Sequence, residues 1–306
     1  MRGRLRVCII GRGKVGRTLQ RELAEAGVDS KLVAGRFRQL PEARSLYLLA
    51  VPDAHLCEVA LALASHVDAA SVVLHCAGAR SLSELAALRA RGAHVGMFHP
   101  LVSFASARAG HGLRDVTFTS FGDSEAVAAA RTLARRLHAR LVVLKEAPGP
   151  AYHAAAALVA NGAAALAQLG TQALRQVGFG QRDAEHALST LLSSVAHNIA
   201  RVGLPAALTG PVARGDATTV AAHVSALARI DPELAQAYLS LQPAVLATAT
   251  AAGLDPKLAR ALARTLSNLS DGTRGRTAPS ASRAKPSRAK PSRPKPSATR
   301  RRQVEK

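Results

Sequence analysis

The sequence predicts an α/β domain built on a mainly parallel sheet, then an all-helical domain, then a disordered basic tail. Three observations lead to this reading. Short β-rich runs alternate with helical patterns from residue 6 to about residue 144. After "EAPGP" (146–150) the strand signals stop, and helical periodicity continues to about residue 269. The end of the chain contains "SRAKPSRAKPSRPKPS", which has almost no bulky apolar side chains to offset the entropy of ordering. The domains are therefore read as 1–147, 148–271 and 272–306.

The candidate strands are "RVCII" (6–10), "KLVA" (31–34), "SLYLLAV" (45–51), "SVVLH" (71–75), "AHVGMF" (93–98), "VTFTSF" (116–121) and "RLVVL" (140–144). Apolar residues at helical spacing fill 15–26, 54–64, 82–91 and 125–137. In the second part, Asp183 is a candidate cap for a helix that stops at Gly203. "DPELA" (231–235) and "DPKLA" (255–259) each put Asp at an N-cap and Pro at the first helical position. Pro243 is expected to kink or interrupt the longest helix.

The 306 residues are 48% apolar but contain no Trp and only 3% aromatics, so the core is built from Ala, Leu and Val. That composition argues against the aromatic platforms that stack single-stranded nucleic acid. Cys8, Cys57 and Cys76 are an odd number without CxxC spacing, which indicates neither a disulfide framework nor a metal site. No uninterrupted apolar run of about 18 residues appears and the first residues lack a secretory pattern, so the expected location is cytoplasmic, away from membranes. Residues 273–306 hold 12 Lys and Arg against one acid, so +11 of the formal charge of +21 lies in the tail. Such an arm either contacts polyanions nonspecifically through phosphate neutralisation or only solubilises the chain.

The strongest motif is "GRGKVG": Gly11, Arg12, Gly13, Lys14, Val15 and Gly16 follow an apolar strand and open a helix. The first glycine permits the tight turn, the second lets backbone approach a pyrophosphate, and the third lets helix and strand pack. The helix N-terminus supplies oriented N–H donors. This is the dinucleotide-binding signature of a Rossmann-like domain. Twenty residues past Gly16, where an NAD-type domain presents Asp or Glu to the ribose, the chain reads "AGRFR". Arg36, helped by Arg38, suits a 2′-phosphate, so NADP(H) is the expected cofactor; a solvated loop arginine is the alternative reading.

Four polar islands stand in apolar surroundings. "VPD" (Val51, Pro52, Asp53) and "HCAGA" (with Cys76 and Gly78) follow strands and are expected against the cofactor. "GMFHPLVSF" carries His99 and Ser103. "LTGPVARGD" interrupts the helical part with Arg214 and Asp216, and Thr219 follows. Ser103, Arg214, Asp216 and Thr219 are candidate substrate contacts in a cleft, the usual place for small ligands. Each island alone has a bland alternative, since Gly and Pro end elements and Arg214 can pair with Asp216.

The order "GRGKVG", "VPD", "HCAGA", "GMFHPLVSF", "YHAAAALVAN" (152–161) and "LTGPVARGD" resembles the bacterial family in which a Rossmann-like domain precedes domain of unknown function 2520. The resemblance covers roughly residues 5–270. It implies a helical second domain of the 6-phosphogluconate-dehydrogenase C-terminal type and an NADP-binding oxidoreductase. More distantly the chain is similar to ketopantoate reductase, pyrroline-5-carboxylate reductase and the β-hydroxyacid dehydrogenases, which implies a homodimer formed through the helical domain.

In ketopantoate reductase and the β-hydroxyacid dehydrogenases, a helix opening the second domain carries a Lys and an Asn four residues apart. If Asn161 matches that Asn, the Lys position is Ala157, which cannot transfer a proton. His153 lies eight residues before Asn161, about 12 Å along the helix axis and about 80° around it. His153 and His99 are the candidate acid–base residues and Asn161 a further catalytic candidate that cannot grip the same atom as His153; histidine titrates near neutrality and can supply a proton as a carbonyl is reduced. A structural role, with His153 and Asn161 binding neighbouring polar groups, fits the same residues.

The reading that absorbs most of these features is an NADP(H)-dependent reductase of a small carbonyl or imine, with Arg214 orienting an anionic group. The alternative is a catalytically inactive NADP(H)-binding or sensing protein, motivated by Ala157. A third, polyanion or nucleic-acid binding, rests on the tail alone.

Overall fold

The computed structural model describes residues 5–37, 45–106 and 112–274. Arg38 and the basic tail lie outside the described residues, as does any polyanion contact expected of that tail.

Seven strands form one sheet: β1 (Arg6–Ile10), β2 (Asp29–Val33), β3 (Leu46–Leu49), β4 (Val72–His75), β5 (His94–Pro100), β6 (Thr117–Gly122) and β7 (Arg140–Val143). The order is β2-β1-β3-β4-β5-β6-β7, and every neighbouring pair is parallel except β5 with β6. The expected mainly parallel sheet is thus present, with all seven strands close to their sequence positions. β1 lies between β2 and β3 and is buried on both faces, which explains why "VCII" is apolar without alternation. Helices α1 (Lys14–Glu25) and α4 (Ser124–Arg136) accompany one core, whose residues include Val7, Ile9, Leu19, Leu23, Phe98 and Phe118. Helices α2 (Leu56–Leu63) and α3 (Ala86–Arg89) accompany the other, with Cys8, Ile10, Leu49 and Leu63. Burying each large aliphatic side chain contributes about 2 kcal/mol, so both faces resist opening. Phe98 and Phe118 stack at 4.2 Å across the antiparallel pair.

Then come α5 (Pro150–Gln176), α6 (Gln181–Val202), α7 (Ala217–Ile230), α8 (Pro232–Ala251) and α9 (Pro256–Arg274). Asp231 caps α8 by accepting from the Glu233 amide at 2.8 Å, and the Asp255 carboxylate accepts from the amides of Lys257 and Leu258 at the start of α9. Two local expectations are corrected. Asp183 lies inside the first turn of α6 and does not precede it, because the helix already begins at Gln181. Pro243 lies inside α8, which continues through it, and the longest helix is α5. Proline lacks an N–H, so α8 forgoes one ladder bond at that position.

The described residues form two compact units, one running to Arg175 and including Phe179–Leu192, the other Gln176–Gly178 with the residues from Ser193 on. Helix α5 falls within the first unit except for its last residue. In the second unit α7, α8 and α9 enclose a core that includes Val220, Val224, Leu239 and Leu262. Helices α5 and α6 bury little: of their 27 and 22 residues, only Thr171 and Ala184 are fully buried. Among the described residues α5 is the one helix long and apolar enough to cross a membrane by length and composition alone, a test that a docking helix passes equally well.

Candidate functional site

The carboxyl ends of the parallel strands meet where the strand order reverses, between β1 and β3. "GRGKVG" sits there. Gly11 has φ +122°, and a Cβ on it would fall into the Ala50 carbonyl; a Cβ on Gly16 would fall onto the Gly11 carbonyl. Gly13 has nothing within 4 Å of a hypothetical Cβ. Two glycines are thus demanded by packing, and the middle one faces open space where a ligand can approach. Gly13 caps α1 without any side-chain hydrogen bond, and the first turn holds no acid. The amide donors of that turn are left for an anion.

A hollow of about 370 Å³ opens at this point, lined by Gly13, Lys14, Val15, Pro52, Asp53 and Cys76 among others. The residues present fit a dinucleotide pyrophosphate. Arg12 is exposed, and its carbonyl accepts from Arg17 Nε at 2.8 Å. Cys76 keeps part of its surface open, yet its thiol lies deep enough that burial pushes its pKa up to about 12. It is a packing thiol, not a nucleophile. A smaller hollow of about 150 Å³ adjoins, sharing Val51 and Pro52 and adding Arg36, His55 and Glu58. Arg36 is 88% exposed, with Nε 3.9 Å from the Glu58 carboxylate, and Glu58 also meets His55 Nδ1 at 3.2 Å. Sequence reasoning missed Glu58, which carries the wrong sign for a 2′-phosphate beside the arginine that suits one. No β/α pattern reveals that pairing, because the two residues approach only through the fold.

The second cluster lies in the same unit. His99 is near the end of β5 and pairs across the sheet with Thr119 of β6. Tyr152 and His153 open α5. The Tyr152 hydroxyl lies 2.8 Å from His99 Nδ1. Burial raises the Tyr152 pKa, partly offset by the neighbouring Thr119 side chain. The rings of His99 and His153 are 6.2 Å apart, edge to face. A Cβ on Gly78 would come within 2.7 Å of His99 Nε2 and 3.1 Å of His153 Nδ1. Gly78 is therefore glycine because two imidazoles close over it. It is not among the residues lining the nucleotide hollow, but its neighbours Cys76 and Ala77 are.

Burial, then the charge of His153, push the His99 pKa down to about 4, with Asp53 pulling the other way. His75, on β4, is fully buried, and among the described residues no group makes a well-formed hydrogen bond to its ring nitrogens; burial depresses it to about 4 as well, with the nearby Ala77 backbone pulling the other way and His99 adding to the shift. Both rings are neutral at pH 7. A cavity of about 440 Å³ is bordered by His99, Ser103, His153 and Asn161 at its polar points and by Leu101, Ala157 and other small apolar residues elsewhere. His153 and Asn161, two turns apart, thus border one cavity. Sequence reasoning missed Tyr152, Thr119 and His75. Tyr152 stood next to His153 in "YHAAAALVAN", and an aromatic hydroxyl at the start of an alanine helix was the available signal.

Arg214, Asp216 and Thr219 belong to the second compact unit. Asp216 caps α7: its carboxylate accepts from the Thr219 amide at 2.9 Å and the Thr219 hydroxyl at 2.6 Å, and these bonds hold it below the usual carboxylate range. Much of the bonding capacity of both residues is spent within the cap. Arg214 ends a short 3₁₀ turn and is exposed. In the same unit His223 Nδ1 lies 3.1 Å from the Tyr238 hydroxyl. Among the described residues no group of three or more His, Cys, Asp or Glu is arranged to hold a metal ion.

The family described as a Rossmann-like domain matches residues 36–100, and domain of unknown function 2520 matches residues 116–244. The chain carries both domains, in that order. The resemblance read from the motifs is therefore correct. No curated protein matches the chain. Among solved structures, a protein of Bacteroides fragilis named as an NADP oxidoreductase is similar at 17% identity and TM-score 0.63, covering 79% of this chain and 97% of its own. An imine reductase from Pseudomonas sp. is similar at 18% identity and TM-score 0.55, covering 86% and 100%. A pyrroline-5-carboxylate reductase from Coxiella burnetii is similar at 13% identity and TM-score 0.53, covering 89% and 98%. At these identities the likeness is one of fold.

Proposed function

We propose that this protein is an NADP(H)-dependent oxidoreductase that reduces a small carbonyl or imine. The observation that carries the reading is the meeting of His99 and His153 over Gly78, one residue past Cys76 and Ala77 of the nucleotide hollow. Similar folds named as an NADP oxidoreductase, an imine reductase and a pyrroline-5-carboxylate reductase support the same class. Gly13, Lys14 and the first amides of α1 would hold the pyrophosphate, and Arg36 the 2′-phosphate. When bound, NADPH supplies a hydride to the substrate carbon. One proton must then reach the heteroatom, so that C=O becomes CH–OH and the oxidised cofactor remains. His153 is the better proton source, because it is solvent-exposed and can be recharged from water, whereas His99 is neutral at pH 7. The small apolar residues of the cavity suit a substrate with an aliphatic body.

Titration of the purified protein with NADPH and NADH tests this reading. Tighter binding of NADPH is expected, and binding of neither nucleotide overturns it. A second reading, a nucleotide-responsive protein without turnover, is favoured by Ala157, which borders the cavity where related enzymes place a lysine. NADPH binding without oxidation across aldehydes, ketones and imines would select it. His153→Ala abolishing a measured turnover would exclude it.

The same reading includes a homodimer and a cytoplasmic location. Leu158 and Val159 on α5 are 77% and 72% exposed, and Leu191 on α6 is exposed as well. Patches of this kind mark association surfaces. Sedimentation should give a dimer that Leu158→Glu converts to monomer; a monomeric wild type would remove this part of the proposal.

A further inference from the structure

The Tyr152 hydroxyl has one proton and two polar neighbours, Thr119 and His99 Nδ1. Its chemistry decides which neighbour receives it. A phenol, with a pKa of about 10, is a stronger donor than a neutral imidazole N–H, and an imidazole nitrogen is a far better acceptor than a threonine oxygen. The favoured bond runs from the Tyr152 hydroxyl to His99 Nδ1 at 2.8 Å. A polarised phenol–imidazole pair of this kind holds its direction more firmly than an isolated bond in water. Thr119, 2% exposed on β6 opposite His99, is the neighbouring side chain that favours charge on the phenol oxygen.

With Nδ1 accepting, the proton of neutral His99 is on Nε2. That atom is the one facing Gly78 and His153 at the edge of the cavity. From these contacts we infer that Tyr152 is a positioning residue that fixes His99 as an Nε2–H donor, and that the site accordingly takes a neutral carbonyl oxygen in preference to a cationic iminium. The inference rests on the proposed reductase reading and narrows its substrate class. A carbonyl oxygen has lone pairs for the donor, and the negative charge that grows on it during reduction is stabilised by a hydrogen bond already aimed at it. A protonated iminium offers an N–H where an acceptor is needed. The ionisable groups around His99 are Tyr152 and His153 on α5, His75 on β4 and Asp53 after β3; the carboxylate of Asp53 faces Arg80 at 3.8 Å and lines the nucleotide hollow. Among the described residues no carboxylate borders the 440 Å³ cavity to favour a cation.

Long-range proton–nitrogen NMR on the full-length protein, with His99 assigned through His99→Gln, reads the tautomer directly. The Nε2–H form is expected in the wild type, and Tyr152→Phe should give a mixture of both forms. An Nδ1–H signature in the wild type, or an unchanged tautomer in Tyr152→Phe, overturns the inference whether or not the protein turns over. In parallel, NADPH oxidation is followed with small aliphatic aldehydes and ketones and with a saturated cyclic iminium. Carbonyl turnover at least about tenfold faster is expected, with Tyr152→Phe lowering kcat for the carbonyl about tenfold while KM and NADPH affinity hold, because only the aimed donor is lost. Faster iminium turnover overturns the inference while leaving the reductase reading intact. Absence of NADPH binding overturns the reductase reading but leaves the tautomer result to be judged by itself.

Discussion

The nucleotide cradle at residues 11–16 is made of backbone, whereas the histidine pocket is made of side chains delivered by β4, β5, β6 and α5. In the cradle, Gly11 and Gly16 are required by the approach of Ala50 and of Gly11 itself, and the ligand donors are main-chain amides of α1. In the pocket, Gly78 is required by two imidazoles, and the working groups are titratable rings whose protonation depends on burial. A site made of backbone is intolerant of any side chain but indifferent to pH. A site made of rings tolerates conservative changes yet responds to every neighbouring charge.

The largest expected effect falls on the cradle. Gly16→Ala should cost about 3 kcal/mol or more of stability and abolish NADPH binding, since the added methyl meets a carbonyl that the sheet holds in place. Chemical denaturation and nucleotide titration measure the two losses, and retention of both would mean the turn is softer than its contacts imply. Next, Gly78→Ala should lower kcat about 100-fold while NADPH affinity changes by less than about twofold, because the methyl displaces His99 and His153 but not the pyrophosphate amides. Equal loss of binding and turnover would show that the two regions act as one.

Acid should separate them too. His75 has a folded-state pKa of about 4 against an ordinary value of 6.5. The unfolded chain binds the proton first, so stability is full above pH 6.5 and is lost as pH falls toward 4, by about 3 kcal/mol for a group this deeply buried. His99 adds in the same direction, less strongly because it is more open. The urea midpoint followed from pH 7 to pH 4 should drop steeply, and His75→Leu should flatten the curve; an unchanged slope would mean that His75 is hydrated. The smallest effect concerns the exposed end of the nucleotide hollow. Arg36→Asp should reduce the preference for NADPH over NADH about tenfold, and Glu58→Gln should increase it a few-fold, as comparative titrations would show.

How much of this was legible in the sequence differs between the same two regions. "GRGKVG" after "RVCII" exposed the cradle because all its parts are consecutive, and strand, turn and helix each leave a local signature. His99 and His153 were legible as candidates but not as neighbours: 53 positions separate His99 from Tyr152, and only the sheet brings them together. Tyr152 left one faint signal, an aromatic hydroxyl at the start of an alanine helix, and Thr119 left none, since a threonine in a strand is what packing alone would choose. Asp216 and Thr219, which stood out in the sequence, hydrogen-bond each other at the start of α7, a pairing that three-residue spacing already allows.

The alternation of apolar runs and turns by itself determined the seven strands, the mainly parallel sheet, the later helices and the phosphate-binding turn, because each depends on periodicity or on contiguous glycines. The tertiary structure alone decided that Glu58 reaches Arg36, that Tyr152 meets His99, and that His99 and His153 close over Gly78. Those outcomes depend on which strand lies beside which and on how deeply each ring is buried, and both are properties of the packed chain rather than of any local stretch.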